Sequence, residues 1–202
     1  MQVTIRNLFR PMLIMAALLA THAVANAQQQ AAPQKQYRGE IAFDYTYLRS
    51  NAPPGNCGCF NMNGGSVGFA WPLGSGKFSV VADATVDEGA TISKENLNLV
   101  LQTYTGGVRF RPHFHSSPLK PFGQVMVGVA HASGSLVDSQ LYTVPNAGGA
   151  FAASVGGGID LRASRRISVR LFEGDYLVTT FQNGDNDHQN NIRVSSGLVL
   201  HF

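Results

Sequence analysis

Hydrophobic and polar residues alternate with a period of two along most of the chain after residue 37. The final segment, Ile192–Phe202, shows this clearly: one parity is apolar apart from a single serine, and the other is mostly polar or small. A period of two with one apolar face predicts a β-strand with one side against an apolar partner. That partner is a second sheet in a soluble sandwich and lipid in a membrane barrel, and this segment alone leaves both interpretations open.

Seven further segments carry the same alternation, so the sequence predicts eight strands. The predicted strands are longer than the five or six residues typical of soluble sheets. Their lengths suit tilted strands, which cross a bilayer with about 9–11 residues. In the first strand Glu40 and Asp44 oppose an aromatic face, as expected when aromatic residues face lipid and carboxylates face a lumen. The predicted strands are about Tyr37–Leu48, Met62–Trp71, Lys77–Thr85, Leu97–Arg111, Phe122–Ser133, Phe151–Arg162, a segment beginning at Ile167, and Ile192–Phe202.

The predicted connections alternate in length. Shorter turns follow strands 2, 4 and 6, and long polar loops follow strands 1, 3, 5 and 7, namely Ser50–Asn61, Asp87–Asn96, Gly134–Gly149 and Gln182–Asn191. An even strand number with long and short connections at opposite ends is typical of outer-membrane barrels. The predicted fold class is therefore all-β, an eight-stranded antiparallel up-and-down transmembrane β-barrel with both chain ends at the short-turn rim.

Two segments break the alternation. Leu97–Gln102 has apolar residues on both parities, which predicts a bulge or a longer loop. Strict alternation after Ile167 would place Glu173 and Asp175 on the lipid side, which is costly. We therefore expect a bulge near Gly174 that returns both carboxylates to the interior.

The N-terminus predicts export. Arg6 and Arg10 precede the uncharged apolar run Met12–Ala20, and Ala25-Asn26-Ala27 forms an A-x-A cleavage site. This arrangement indicates a secretory signal peptide over residues 1–27, because the apolar run is too short for a membrane span of about 20 residues. Residues 28–36 are polar and unpatterned and are predicted to form a disordered leader, which leaves residues 37–202 for the barrel.

Composition supports a membrane barrel and excludes one class of partner. Charged residues make up only 13% of the chain, against about 25% in soluble domains, and glycine is frequent. Removal of residues 1–27 leaves 13 basic and 12 acidic residues, a net charge of +1. A near-neutral chain without basic clusters gives no support for nucleic-acid binding.

The polar parity of the strands predicts a charged interior. An eight-stranded barrel has an interior just wide enough for side chains to fill it, and charges buried there need partners. We expect a salt-bridged plug, with a narrow pore formed by rearrangement of these pairs as the alternative. The predicted network consists of Glu40, Asp44, Arg109, Asp160, Arg162, Arg170, Glu173 and Asp175.

The export signal, the eight alternating strands and the terminal Phe202 together resemble the outer-membrane β-barrel family of OmpA/OmpX-type small barrels. The resemblance covers residues 37–202 and lies in pattern, without a catalytic motif. It implies a bacterial outer-membrane location and a structural, envelope-integrity or surface-interaction role. It also implies that Leu198, Leu200 and Phe202 form the C-terminal signal read by the barrel-assembly machinery.

The same resemblance implies the expected partners. These are outer-membrane lipid and lipopolysaccharide in the mature protein, and periplasmic chaperones and the assembly machinery during biogenesis. We expect a monomer that needs no cofactor. A soluble periplasmic barrel of the lipocalin type is the remaining rival.

Other reactive residues give weaker signals. His131-Ala132-Ser133 resembles the catalytic pair of the outer-membrane lipid A deacylases, but no asparagine follows Ser133. The first glutamate after Ser133 that could orient the histidine is the distant Glu173. We therefore expect no enzymatic activity. Cys57 and Cys59 are too few for a zinc site, and they form either a loop-local disulfide or two free thiols.

Overall fold

The computed structural model describes residues 39–50, 60–74, 76–92, 97–112, 117–135, 149–181 and 188–202. The predicted signal peptide and leader, residues 1–27 and 28–36, lie outside these ranges, as do Cys57 and Cys59. Among the described residues, no helix is long and apolar enough to cross a membrane.

In the part of the chain that the structure describes, eight antiparallel strands form one closed barrel in chain order, which confirms the predicted fold class. Each strand pairs with its neighbours in sequence, and β1 closes the barrel against β8 from Glu40↔His201 to Ser50↔Asn191. The strands are β1 Glu40–Ser50, β2 Phe60–Leu73, β3 Phe78–Ile92, β4 Leu97–Phe110, β5 Leu119–Ser133, β6 Ala150–Arg162, β7 Ile167–Thr179 and β8 Gln189–His201.

The two faces of each strand differ as the alternation predicts. In β1, Asp44 is 7% exposed, whereas its neighbours Phe43 and Tyr45 are 51% and 60% exposed. Outward positions on the other strands are likewise large and apolar, and among them are Val67, Val80, Val108, Val125, Val127, Val155, Leu171, Ile192 and Leu198. Among the described residues this wall has no protein partner, so the barrel is built to lie in an apolar medium.

Aromatic residues mark two levels on the outward face. Tyrosines lie nearer the β1–β2 loop end, where the Tyr45 hydroxyl donates to Asn63 Oδ1 at 2.6 Å and the Tyr176 hydroxyl donates to Asn190 Oδ1 at 2.8 Å. Phenylalanine and tryptophan dominate the opposite, turn end, in the group Phe69, Trp71, Phe78, Phe110 and Phe202. Such bands of amphipathic and apolar rings are typical of the two interfaces of a membrane barrel.

The strands run further into the connections than predicted. The expected loop Asp87–Asn96 is wrong over its first half, because β3 continues to Ile92. Polar residues there do not end the strand, since Asp87 points into the interior while Glu88 points out. β5 likewise begins at Leu119, inside the expected turn. The β3–β4 connection is therefore shorter than the β4–β5 connection, 93–96 against 111–118, and the contrast between the two ends is weaker than predicted.

Two register shifts lie close to the predicted irregularities. Between β3 and β4 the pairing slips between Gly89 and Ile92, opposite Leu97–Leu99, so the bulge lies on β3. In β7 one extra residue lies between Arg170 and Glu173, against both β6 and β8. Leu171 and Phe172 therefore both point outward, and Glu173 and Asp175 return to the interior. The expected bulge exists, but it precedes Gly174 because two apolar residues in succession can both face lipid.

The seam of the barrel extends to the last residue. Phe202 and Gly39 exchange two backbone hydrogen bonds, of 3.0 and 3.1 Å, beyond the end of the β1–β8 ladder. The Phe202 ring lies over Gly39, where a Cβ atom would come within 2.5 Å of the ring, and its centroid is 6.3 Å from that of Phe69. The terminal aromatic thus joins both edges of the closing seam.

Deletion of Phe202 should reduce the level of assembled barrel far more than Phe78→Ala, which removes another aromatic of the same rim. The deletion takes away two seam hydrogen bonds as well as the ring, whereas Phe78→Ala takes away only a ring. Heat-modifiable migration of membrane fractions on gels measures both. Equal levels for the two variants would contradict this role of Phe202.

Deletion of Phe172 should leave the barrel assembled, because it removes the extra residue and keeps Glu173 and Asp175 inside. Deletion of Gly174 should abolish assembly, because it turns Asp175 towards lipid, where a charge is unfavourable. The same gel assay compares the two single-residue deletions. The reverse order of assembly would place the bulge at Gly174.

Candidate functional site: the barrel interior

Arg170 on β7 is the centre of the interior charge network. Its guanidinium contacts three carboxylates on three strands: Asp44 Oδ2 at 2.8 Å, Asp160 Oδ1 at 3.1 Å and Glu173 Oε2 at 2.6 Å. Arg170 and Asp160 are each 2% exposed. A buried arginine held by several carboxylates is stable only when all of them remain in place, so this cluster ties β1, β6 and β7 together across the lumen.

A second arginine extends the network towards the turn rim. Arg111, just after β4, binds Glu40 Oε1 with one nitrogen and Asp160 Oδ2 with another, at 2.9 Å. Glu40 also lies 3.4 Å from Nδ1 of His201, whose Nε2 is 2.7 Å from the Ser168 hydroxyl. Both oxygens of Asp160 are therefore occupied by arginine, one from each side.

Gln124 and Phe122 on β5 fill the space between these ion pairs. The Gln124 side-chain oxygen accepts two hydrogen bonds from Arg109, of 2.9 and 2.7 Å, and its amide nitrogen donates to Glu173 at 2.7 Å. The guanidinium of Arg109 lies 4.3 Å from the centroid of the Phe122 ring and that of Arg170 lies 5.0 Å from it. Cation–π contacts of this kind stabilise desolvated arginines.

A second polar group lies nearer the loops, around Arg193 on β8, and Asp175 belongs both to it and to the network. Its guanidinium donates to the hydroxyls of Thr85 and Thr103 at 3.0 and 3.3 Å, and it lies 3.9 Å from Asp175. Close by, Asp87 accepts a hydrogen bond from Thr46. Most of the hydrogen bonds among the polar side chains at this level therefore come from threonine hydroxyls and one arginine.

The loop-side part of the interior is mainly apolar, although the uncharged polar residues Ser50, Thr179 and Asn191 are also buried there. Inward side chains from six strands meet there, and Leu48, Met62 and Leu177 are fully buried. We call this group the apolar plug; it consists of Leu48, Met62, Leu101, Ala130, Ala132, Ala152 and Leu177, with Phe60, Leu99 and Phe181 packed against it. The plug lies directly beside the Arg193 level, because Leu48 pairs with Arg193 and Leu101 pairs with Asp87.

The structure brings most of the predicted network together. Arg162 lies outside it: its Nε donates to the backbone carbonyl of Ser164 at 3.4 Å, in the β6–β7 turn. The reason is that Arg170 and Arg111 already occupy Asp160. The residues found within the interior network are Glu40, Asp44, Arg109, Asp160, Arg170, Glu173 and Asp175.

Sequence reasoning missed Asp87, Arg193 and the apolar plug. Arg193 lies on the polar parity of β8, and this position in the pattern is a signal that its side chain points into the interior. Asp87 was missed because a polar run was assigned to a loop. The plug was missed because interior positions were assumed to be polar, although Leu48 shares the parity of Asp44.

The candidate catalytic pair lies on the outward face of β5, which is the side that a reaction on an ester of the outer leaflet requires. His131 and Ser133 share the parity of the outward Val127 and Val129 on β5, and they pair with Gln102 and Val100 of β4. In the described ranges no carboxylate contacts His131, and no cluster of three metal-ligating side chains is present.

An apolar outer wall, aromatic bands and a side-chain-filled lumen define a small membrane β-barrel. No protein-family model matches the chain, and no curated protein matches it. Its fold is similar to Neisserial surface protein A, with a TM-score of 0.59 and 12% identity over 81% of this chain and 97% of that one.

Two other solved structures agree. The outer membrane protein OprG from Pseudomonas aeruginosa gives a TM-score of 0.54 with 10% identity, over 84% of this chain and 98% of that one. Ail, the attachment invasion locus protein of Yersinia pestis, solved with the heparin analogue sucrose octasulfate, gives 0.51 with 13% identity, over 82% and 99%. The fold is therefore that of the small eight-stranded outer-membrane barrels, as the OmpA/OmpX-type resemblance implied.

Arg170→Ala should destabilise the folded barrel by about 3–5 kcal/mol, the usual cost of removing one partner of a buried ion pair. Asp44, Asp160 and Glu173 would each lose their contact with its guanidinium. Arg162→Ala is the matched control, because that side chain lies outside the network, and it should change stability little. Urea unfolding of both refolded variants in detergent or vesicles measures the difference, and equal midpoints would contradict the central role of Arg170.

Proposed function

We propose that the chain is an integral protein of the bacterial outer membrane with a structural, envelope-integrity or surface-interaction role. The observation that carries this proposal is the pairing of an unpartnered apolar wall with a filled interior. The wall requires lipid, and side chains of the described residues fill the interior at two levels. The signal peptide predicted for residues 1–27 supports export to that membrane.

The filled interior favours a structural role over transport. At the turn end the Arg170 network crosses the lumen, and at the loop end the apolar plug crosses it again. One small cavity, bordered by the described residues Glu40, Ala42 and Arg109, has a volume of about 10 Å³, enough for about one water molecule. A porin-like role is not supported by these dimensions.

A catalytic role has little support. The candidate nucleophile Ser133 and base His131 lie on the outward face, where an outer-leaflet ester would be reached, but the described residues provide no carboxylate that orients His131. Ser168, His201 and Glu40 form a chain of contacts inside the rim, but Ser168 is 3% exposed. A nucleophile must reach its substrate, so we propose a protein without enzymatic activity.

The expected partners follow from the wall and the seam. Outer-membrane lipid and lipopolysaccharide would contact the outward face, and the assembly machinery and periplasmic chaperones would handle the strand that ends in Leu198, Leu200 and Phe202. The barrel is closed within one chain, which favours a monomer.

The proposal is tested by fractionation together with planar-bilayer recording. The protein should be extracted from membranes only by detergent, should show heat-modifiable migration, and should give no large stable conductance. Release in osmotic shock fluid would favour the soluble lipocalin-type rival. Steady conductance of porin size would overturn the closed structural role.

A further inference from the structure

The described interior has two barriers of different chemistry in series. The turn-side barrier is the ion-pair network around Arg170, and the loop-side barrier is the apolar plug. Both cross the lumen, so either could be the element that keeps the barrel closed to ions.

The ion-pair network is a poor seal by itself. In the network Glu40 Oε2 and Asp44 Oδ1 are buried and accept no hydrogen bond from the described residues, and the same is true of Asp87 Oδ2 and Asp175 Oδ2 at the Arg193 level. Buried polar atoms are normally satisfied by protein or by ordered water, so these oxygens favour water within the polar section. A network that admits water offers ions partial solvation.

The apolar plug has the opposite property. Its fully buried side chains, Leu48, Met62 and Leu177, offer nothing to solvate an ion. Hydrophobic constrictions stop conduction by excluding water even when they are not completely closed. The plug is therefore the larger barrier to an ion that crosses the barrel.

Next to the plug, acidic side chains outnumber basic ones. Between the level of Asp44 and the plug, interior carboxylates outnumber the neighbouring arginines Arg109, Arg170 and Arg193, and Arg170 is shared with Asp160. The carboxylates at this level are Asp44, Asp83, Asp87, Glu173 and Asp175. Rings of carboxylates select cations in pores.

We propose that the apolar plug, and not the ion-pair network, is the permeability barrier of this barrel, and that it closes a narrow cation-selective path. The inference rests on the proposed membrane barrel and deepens it, because it names the side chains that keep the structure closed and the kind of ion that would pass without them.

The test compares three refolded proteins in planar bilayers. The plug variant carries Leu48→Ser, Leu101→Ser and Leu177→Ser. The network variant carries Asp160→Asn and Arg170→Gln, which removes the ion pairs of Arg170 with Asp44, Asp160 and Glu173 and the ion pair between Arg111 and Asp160 but keeps polar side chains at both positions. The wild type and the network variant should stay closed. The plug variant should conduct, with K⁺ permeability above that of Cl⁻ in a salt gradient, and adding Asp87→Asn and Asp175→Asn should bring that ratio towards one.

Heat-modifiable migration shows first whether each variant is folded and inserted. If the triple variant does not fold, the near-isosteric pair Leu101→Asn and Leu177→Asn replaces it, with the same expected conductance. A folded plug variant that stays closed, a network variant that conducts alone, or a plug variant that prefers Cl⁻ would each overturn the inference. In those cases a wild type that is inserted and closed would still support the proposed function, whereas failure of the wild type to insert would remove both.

Discussion

The width of an eight-stranded barrel is the constraint on which the rest of this structure depends. Its interior is filled by the side chains that point inward, so every inward charge must find its partner among a few neighbours. Arg170 meets this requirement by binding Asp44, Asp160 and Glu173 at once. The β7 bulge serves the same requirement, because it turns Glu173 and Asp175 towards that arginine.

The inward positions of the strands hold two kinds of side chain, which lie at different levels along the barrel axis. Near the turns the positions hold charges, and near the loops they hold the leucines, methionine and alanines of the apolar plug. The charges connect strands that are distant in sequence, whereas the plug excludes water. A closed membrane barrel with a structural or surface role is consistent with both, and the division of the interior explains why closure need not depend on the ion pairs.

The outward face is simpler, because lipid imposes one condition on all of it. Apolar residues cover the middle, tyrosines lie towards the loop end, and phenylalanines with Trp71 lie towards the turns. Phe202 belongs to this rim and also to the seam through Gly39. A C-terminal aromatic can therefore influence both the membrane interface and closure of the barrel.

The sequence by itself determined the number of strands, their antiparallel order and most of the interior charges, because a period of two with a lipid-facing side is a local property that each segment displays independently. Tertiary structure decided what depends on several strands at once. Register fixed the extra residue of β7 at Leu171–Phe172, within the region near Gly174 that the sequence indicated, and competition for Asp160 left Arg162 outside the network. The apolar plug cannot be predicted from any one strand. A single inward leucine is only an exception to the polar pattern of its strand, and it becomes part of a plug because five other strands place apolar side chains at the same level.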